Sequence, residues 1–192
     1  RLSIDKNFNP EVGFLRRADM RKDYAQFRFS PRPTKIKGVR KLSSIGQFTY
    51  IEDSAGRLAT RIMDGEFAVE FQNSDRAAIE YTHQKEYIPA PFRIATGVTV
   101  PVGQYDYQAG KLTYTLGAQR RFAATASVEH GSFYGGDKTT VGVSGGRYNL
   151  TNQVQVQPGV SINRVDLPFG RFTATQLQTR VVYTLTPRAF AA

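Results

Sequence analysis

The chain has 192 residues, with 26 Lys and Arg against 16 Asp and Glu, a formal net charge of +10, no Cys and no Trp. Without cysteine there is no disulfide, no thiolate nucleophile and no cysteine-bound metal, and no run approaches the ~18 consecutive apolar residues of a transmembrane helix. The length suits one domain over residues 1–192, and a mean hydropathy of −0.40 is compatible both with a soluble protein and with a barrel that alternates lipid-facing and lumen-facing side chains.

In chain order, the first half is strand-like but irregular. Phe27 and Phe29 alternate before Pro31, and the densest basic cluster follows around Pro31 and Pro33: Arg32, Lys35, Lys37, Arg40 and Lys41. It reads as a solvated turn attracted to anionic head groups or solutes. Phe48 and Tyr50 alternate before the turn Glu52–Gly56, Phe67, Val69 and Phe71 before Asn73-Ser74-Asp75, and Ala77, Ile79 and Tyr81 mark the return. Between Tyr87 and Gly103, Pro89, Pro91 and Pro101 each lack a ladder N–H, which predicts a long loop folded toward the interior in place of a central strand.

The second half alternates strictly. Leu112, Tyr114 and Leu116 oppose Lys111, Thr113 and Thr115; Phe122, Ala124, Ala126 and Val128 oppose Arg121, Thr125, Ser127 and Glu129; Val141 and Val143 oppose Thr140, Gly142 and Ser144. Val154, Val156, Val160 and Ile162 then oppose Gln153, Gln155, Gln157, Ser161 and Asn163, with a kink or bulge expected at Pro158-Gly159. Leu177, Val181, Tyr183 and Leu185 oppose Gln178, Arg180, Val182 and Thr184. Period two places each set on its own face, and such runs match the ~9–11 residues of a tilted membrane-crossing strand.

The connections complete the expectation. Asn73–Asp75, Gly117–Arg120, Tyr148–Asn152 and Thr186–Arg188 read as compact turns, while Tyr87–Gly110, Gly131–Asp137 and Val165–Arg171 read as longer loops on the other side. Short turns facing long loops are the layout of a bacterial outer-membrane barrel. The expected fold is therefore all-β: an antiparallel up-and-down meander of about ten strands, forming an outer-membrane β-barrel or part of one. Its apolar residues would face lipid, and Arg121, Glu129, Gln153, Gln155, Gln157 and Arg180 would line a polar lumen.

Asn9-Pro10-Glu11-Val12-Gly13-Phe14, Phe71–Arg76, Phe133-Tyr134-Gly135-Gly136 and Val165-Asp166-Leu167-Pro168 through Phe172 resemble a family of large bacterial outer-membrane proteins. In that family a carbohydrate-binding family-9-like domain precedes a C-terminal barrel domain of unknown function. The resemblance implies a location in the bacterial outer membrane, the lipid bilayer as partner, a polar solute or carbohydrate as cargo, and a chain that covers part of the barrel region. It carries over no catalytic residue.

Chemistry is sparse. His83 and His130 sit beside glutamates (Glu80 or Glu86, and Glu129) without the three or four convergent ligands of a metal site. Glu66, Glu70, Glu80 and Glu86 are the candidates for a carboxylate pair, but on a polar face they are expected to partner Arg and Lys. Ser43, Ser44, Ser127 and Ser132 lack a nucleophile-elbow context, and no nucleic-acid-binding motif accompanies the basic charge. The expectation is a structural or porin-like wall with no cofactor, no metal and no nucleic-acid partner, more consistent with a non-enzyme. Two alternatives stay open: a soluble β-sandwich or barrel binding module with the apolar face inside, and a component of a surface carbohydrate-active hydrolase.

Overall fold

Period-two alternation over most of the chain produces one large antiparallel sheet. The computed structural model describes residues 1–9, 11–14, 19–186 and 189–191. A short β1 (Leu2–Ile4) precedes β2 (Met20–Phe29), β3 (Val39–Glu52), β4 (Leu58–Phe71) and β5 (Arg76–Ile88). A small hairpin, β6 (Phe92–Ala95) and β7 (Val98–Val100), interrupts the meander. The meander resumes with β8 (Gly103–Thr115), β9 (Phe122–Phe133), β10 (Gly136–Asn149), β11 (Val154–Leu167), β12 (Gly170–Thr186) and a short β13 (Ala189–Ala191). Eleven strands form the sheet in the order β1-β2-β3-β4-β5-β8-β9-β10-β11-β12-β13, so every strand lies beside its neighbour in sequence once the hairpin is set aside. The described residues contain no helix, hence none long and apolar enough to cross a membrane. The sheet is open, with β1 and β13 at its edges, so part of a barrel describes it and a closed barrel does not.

Connections 30–38, 72–75, 116–121 and 150–153 lie at one end of the sheet, here the Asp75 end; 53–57, 89–102, 134–135 and 168–169 lie at the other, the Gly135 end. Two expected long loops are tight hairpins instead. Phe133 pairs with Gly136 and Leu167 with Gly170, leaving only Tyr134-Gly135 and Pro168-Phe169 as turn residues. Tyr134 (φ 46°) and Gly135 (φ 80°) are both left-handed, the turn geometry whose twist matches that of the flanking strands. Glycine there marks the turn itself and not a longer excursion. Among connections made wholly of described residues, loop-length asymmetry therefore rests on 89–102, and the Asp75 end carries a nine-residue connection of its own at 30–38. The turn expected at Thr186–Arg188 includes Pro187 and Arg188, which lie outside the described residues, as does Pro10.

The irregularity expected at Pro158-Gly159 falls on the partner strand. β11 pairs with β12 without a break from Val154↔Tyr183 to Leu167↔Gly170, whereas β10 loses register between Val143 and Tyr148, around Gly145-Gly146. Proline has no N–H to give to β10, so β10 bulges opposite it.

The 89–102 segment folds back over the sheet, and β6–β7 supplies two of the seven buried residues of its best-packed cluster. Val98 and the fully buried Val100 meet Ile88, Tyr107, Tyr134, Val165 and Leu167, with Phe133, Phe169 and Phe172 around them. Gly170 (φ 142°) sits against this hairpin, and a Cβ there would lie 2.9 Å from the Val98 side chain. The proline-rich stretch is thus the folded-back loop expected from sequence.

Candidate functional site

Side chains paired across neighbouring strands share a face. From Phe29 one row crosses Ser44, Phe67, Ile79, Leu112, Val128, Val141 and Ile162. The adjoining row on the same face is Leu42, Val69, Ala77, Tyr114, Ala126, Val143, Val160 and Leu177, apolar throughout. These residues are open to the surroundings: Leu112 is 55 % exposed, Ile79 54 % and Leu177 78 %. At ~4.8 Å per strand the rows span roughly 38 Å, and the run from Leu42 to Tyr50 gives the band a height of roughly 26 Å at ~3.3 Å per residue, an area on the order of 1,000 Å² against the few hundred Å² of apolar patch usual on a soluble monomer. Among the described residues the only other layer is the β6–β7 hairpin, and it packs on the opposite face.

The apolar band crosses the strands obliquely. On β3 it runs from Leu42 to Tyr50, yet Tyr50 lies level with Arg61, Lys85 and Asp106, which are already charged. On β11 and β12 it runs from Val154 and Tyr183 to Ile162 and Leu177, well beyond the level of Leu116. Following the pairing, the band drifts by about six residues toward the Asp75 end, or roughly 20 Å at ~3.3 Å per residue. From β3 to β12, seven strand steps or ~34 Å, that is a slope of about 30°, approaching the ~35–45° strand tilt of a barrel wall.

The opposite face is largely polar in its centre. Arg28, Ile45, Glu66, Glu80, Lys111, Glu129, Thr140 and Asn163 form its central row. Its carboxylates are paired: Glu66 with Arg76 at 2.5 Å, Glu80 with Lys111 at 3.3 Å and Glu129 with Lys138 at 2.8 Å. Partly exposed pairs of this kind contribute only about 0–1 kcal/mol each, so they add little to stability. Along this face lie a depression of about 380 Å³ near Gln157, Gln176, Gln178 and Arg180 and another of about 390 Å³ lined by Glu80, Lys111, Glu129, Lys138, Tyr107 and Phe133.

Of the residues expected on this face, Glu129, Gln155, Gln157 and Arg180 lie in its strands. Gln157 pairs with Arg180 and donates from Nε2 to Gln155 Oε1 at 2.6 Å, and Gln155 donates to Asn149 Oδ1 at 2.8 Å. Arg121 and Gln153 lie outside the strands of the sheet. Both lie in turns at the Asp75 end, where the backbone leaves the pleat and alternation no longer assigns a face. Arg121 donates from Nε to the Asn149 carbonyl at 3.2 Å and stands 5.5 Å from the centre of the Tyr148 ring, a residue of the apolar face by its pairing with Phe122 and Val156. Gln153 accepts at its carbonyl from the Thr184 amide at 2.8 Å.

Glu66 and Glu80 stand opposite each other across β4 and β5, each held by its cation, and Glu70 is held by Arg40 and Lys41. His83 lies on the face opposite Glu80 and Glu86. Its Nε2 is 2.7 Å from Asp106 Oδ1, and Lys85 shares that carboxylate at 3.0 Å. His130 Nδ1 lies 2.9 Å from Thr139 Oγ1. Among the described residues no three His, Asp or Glu converge as metal ligands would.

One polar centre escaped the sequence reading. Asp75, 2 % exposed, accepts from the Gly117 amide (2.7 Å), Tyr114 hydroxyl (3.0 Å), Arg120 guanidinium (2.6 Å) and Asn73 Nδ2 (3.0 Å). Chiefly the Gly117 amide, then the Tyr114 hydroxyl and the Arg120 charge, hold its carboxyl below the usual carboxylate range. It joins the 72–75 turn to 116–121. Asn73-Ser74-Asp75 announced a turn, but the donors lie about 40 residues away and only the register brings them close.

Compared with known proteins, the chain matches no family model, no curated protein and no solved structure.

Proposed function

We propose that the chain forms part of the wall of a bacterial outer-membrane β-barrel, a structural or porin-like element whose apolar face meets lipid and whose polar face borders an aqueous interior. The observation that carries this reading is the exposed apolar band crossing nine strands obliquely, backed by a face of paired charges and amides. A band level with a bilayer must cut tilted strands at an angle, whereas the inner face of a sandwich would be covered by a second sheet. The loop hairpin supports the same arrangement, because it covers the polar face and leaves the apolar one free. A polar solute, carbohydrates included, fits the amide-rich depression beside Gln157 and Arg180, which has donors and acceptors and no reactive constellation.

Fractionation of expressing cells tests the assignment. The chain is expected in the outer-membrane pellet after an alkaline carbonate wash, released only by detergent. Recovery in the wash or in the soluble fraction would refute it.

A further inference from the structure

The net charge is unevenly placed along the strands. At the Asp75 end, residues 28–41, 70–76, 117–121 and 147–153 hold ten Lys and Arg against two carboxylates; at the Gly135 end, the described residues of 1–24 with 50–62, 83–108, 131–138 and 164–171 hold eleven against ten. Nearly all of the +10 is therefore gathered at one rim. Its two carboxylates are engaged locally, Glu70 by Arg40 and Lys41 and Asp75 by Arg120. Arg32, Lys35 and Lys37 are exposed and make no ion pair among the described residues.

Two further features point these cations at a lipid surface. Ile36, half exposed, projects between Lys35 and Lys37 in the 30–38 connection, and that connection is held to the rim, since the Leu42 amide donates to the Pro31 carbonyl at 2.9 Å and the Gln72 amide to the Gly38 carbonyl at 2.8 Å. Arg121 stands over Tyr148 on the apolar face, so its charge lies just beyond the apolar border. An apolar band edged by aromatics and then by free cations matches the order met on leaving a bilayer: chains, interface, phosphates. We infer that the Asp75 end is a docking rim for the phosphates of anionic phospholipid head groups, with Arg32, Lys35 and Lys37 as its principal contacts. This rests on the proposed membrane wall, which fixes where the band sits, and it adds which leaflet chemistry that end selects.

The test is flotation of the detergent-purified chain after dilution into vesicles of phosphatidylcholine alone or with a minority of phosphatidylglycerol, at low and high salt. Each Lys or Arg near an anionic surface raises partitioning about fivefold, so Arg32→Gln, Lys35→Gln and Lys37→Gln combined should cut the preference for phosphatidylglycerol about a hundredfold at low salt. Arg57→Gln, Arg93→Gln and Arg171→Gln combined, at the Gly135 end, remove the same formal charge and should change it little. Equal binding to both vesicles, equal loss in the two triple variants, or loss of the preference on adding inorganic phosphate at constant ionic strength would each overturn the rim while leaving the wall standing. Binding only to anionic vesicles, fully released by salt, would uphold the rim and refute the wall. Flotation with neither vesicle would refute both.

Discussion

Leu112→Arg separates a lipid-facing sheet from an exposed soluble one. Leu112 lies in the middle of the row from Phe29 to Ile162, between Ile79 and Val128, with 55 % of its surface open. In water, an arginine there would be tolerated within about 0.5 kcal/mol, as at most surface positions. Against lipid it costs about 2–4 kcal/mol at the bilayer midplane and less toward the interface. Loss of the leucine's contacts with its two neighbours adds up to about 1 kcal/mol, since roughly half the side chain is covered. Leu112 lies off the centre of the band, so the expected total is about 3 kcal/mol. Gln178→Arg is the control, because Gln178 is exposed on the polar face opposite Gly159 and should change stability by about 0.5 kcal/mol or less. Urea unfolding in vesicles, followed by the far-ultraviolet strand signal, gives both values. Equal effects of the two substitutions would refute the facing argument.

Other outcomes follow from the same geometry. Val100→Ala removes two buried methyl groups from the cluster that docks β6–β7 and should weaken that docking by about 2 kcal/mol; the reading is a roughly thirtyfold rise in tryptic cleavage at Arg93 with the sheet still intact, and unchanged cleavage would show that the hairpin is held otherwise. Because the Asp75 carboxyl is depressed, its contribution is fully present above the ordinary aspartate value of about 3.9 and is lost as pH falls through its own lower value. Hydrogen exchange at the Gly117 amide should therefore stay slow through about pH 4 and quicken only below it, and Asp75→Asn should abolish this acid step; the same step in the variant would assign it to another group. Arg180→Glu reverses a charge on the polar face, and in planar bilayers the full-length protein should shift toward cation selectivity, since the charge acts over a Debye length of ~8 Å; unchanged selectivity would remove Arg180 from the conduction path.

Much of this architecture was legible from side-chain alternation. The runs around Leu112, Phe122, Val141, Val154 and Leu177 all became strands whose alternating residues fall on two faces, because period two is a property of the pleat itself. Loop length was less legible. Gly131–Asp137 and Val165–Arg171 are rich in turn residues, yet pairing proceeds through most of them, since glycine at a left-handed turn position and glycine within a ladder look alike in sequence. Arg121 and Gln153 were assigned a face by extending alternation past the last paired residue, where it stops applying. The Asp75 centre, His83 beside Asp106, and the oblique course of the band all depend on register between distant strands, which composition does not encode.

The central claim is that the two faces meet different media, and the absence of cysteine makes every introduced cysteine a unique label. Nitroxides at Leu112→Cys, Ile79→Cys and Val141→Cys, and at Gln178→Cys and Thr140→Cys, can be read in vesicles by collision with oxygen, which concentrates in lipid, and with a nickel chelate, which stays in water. Oxygen-dominated relaxation is expected at the first three and nickel-dominated relaxation at the last two. Nickel access at all five, or relaxation by neither agent at the first three as in a packed sandwich core, would contradict that claim.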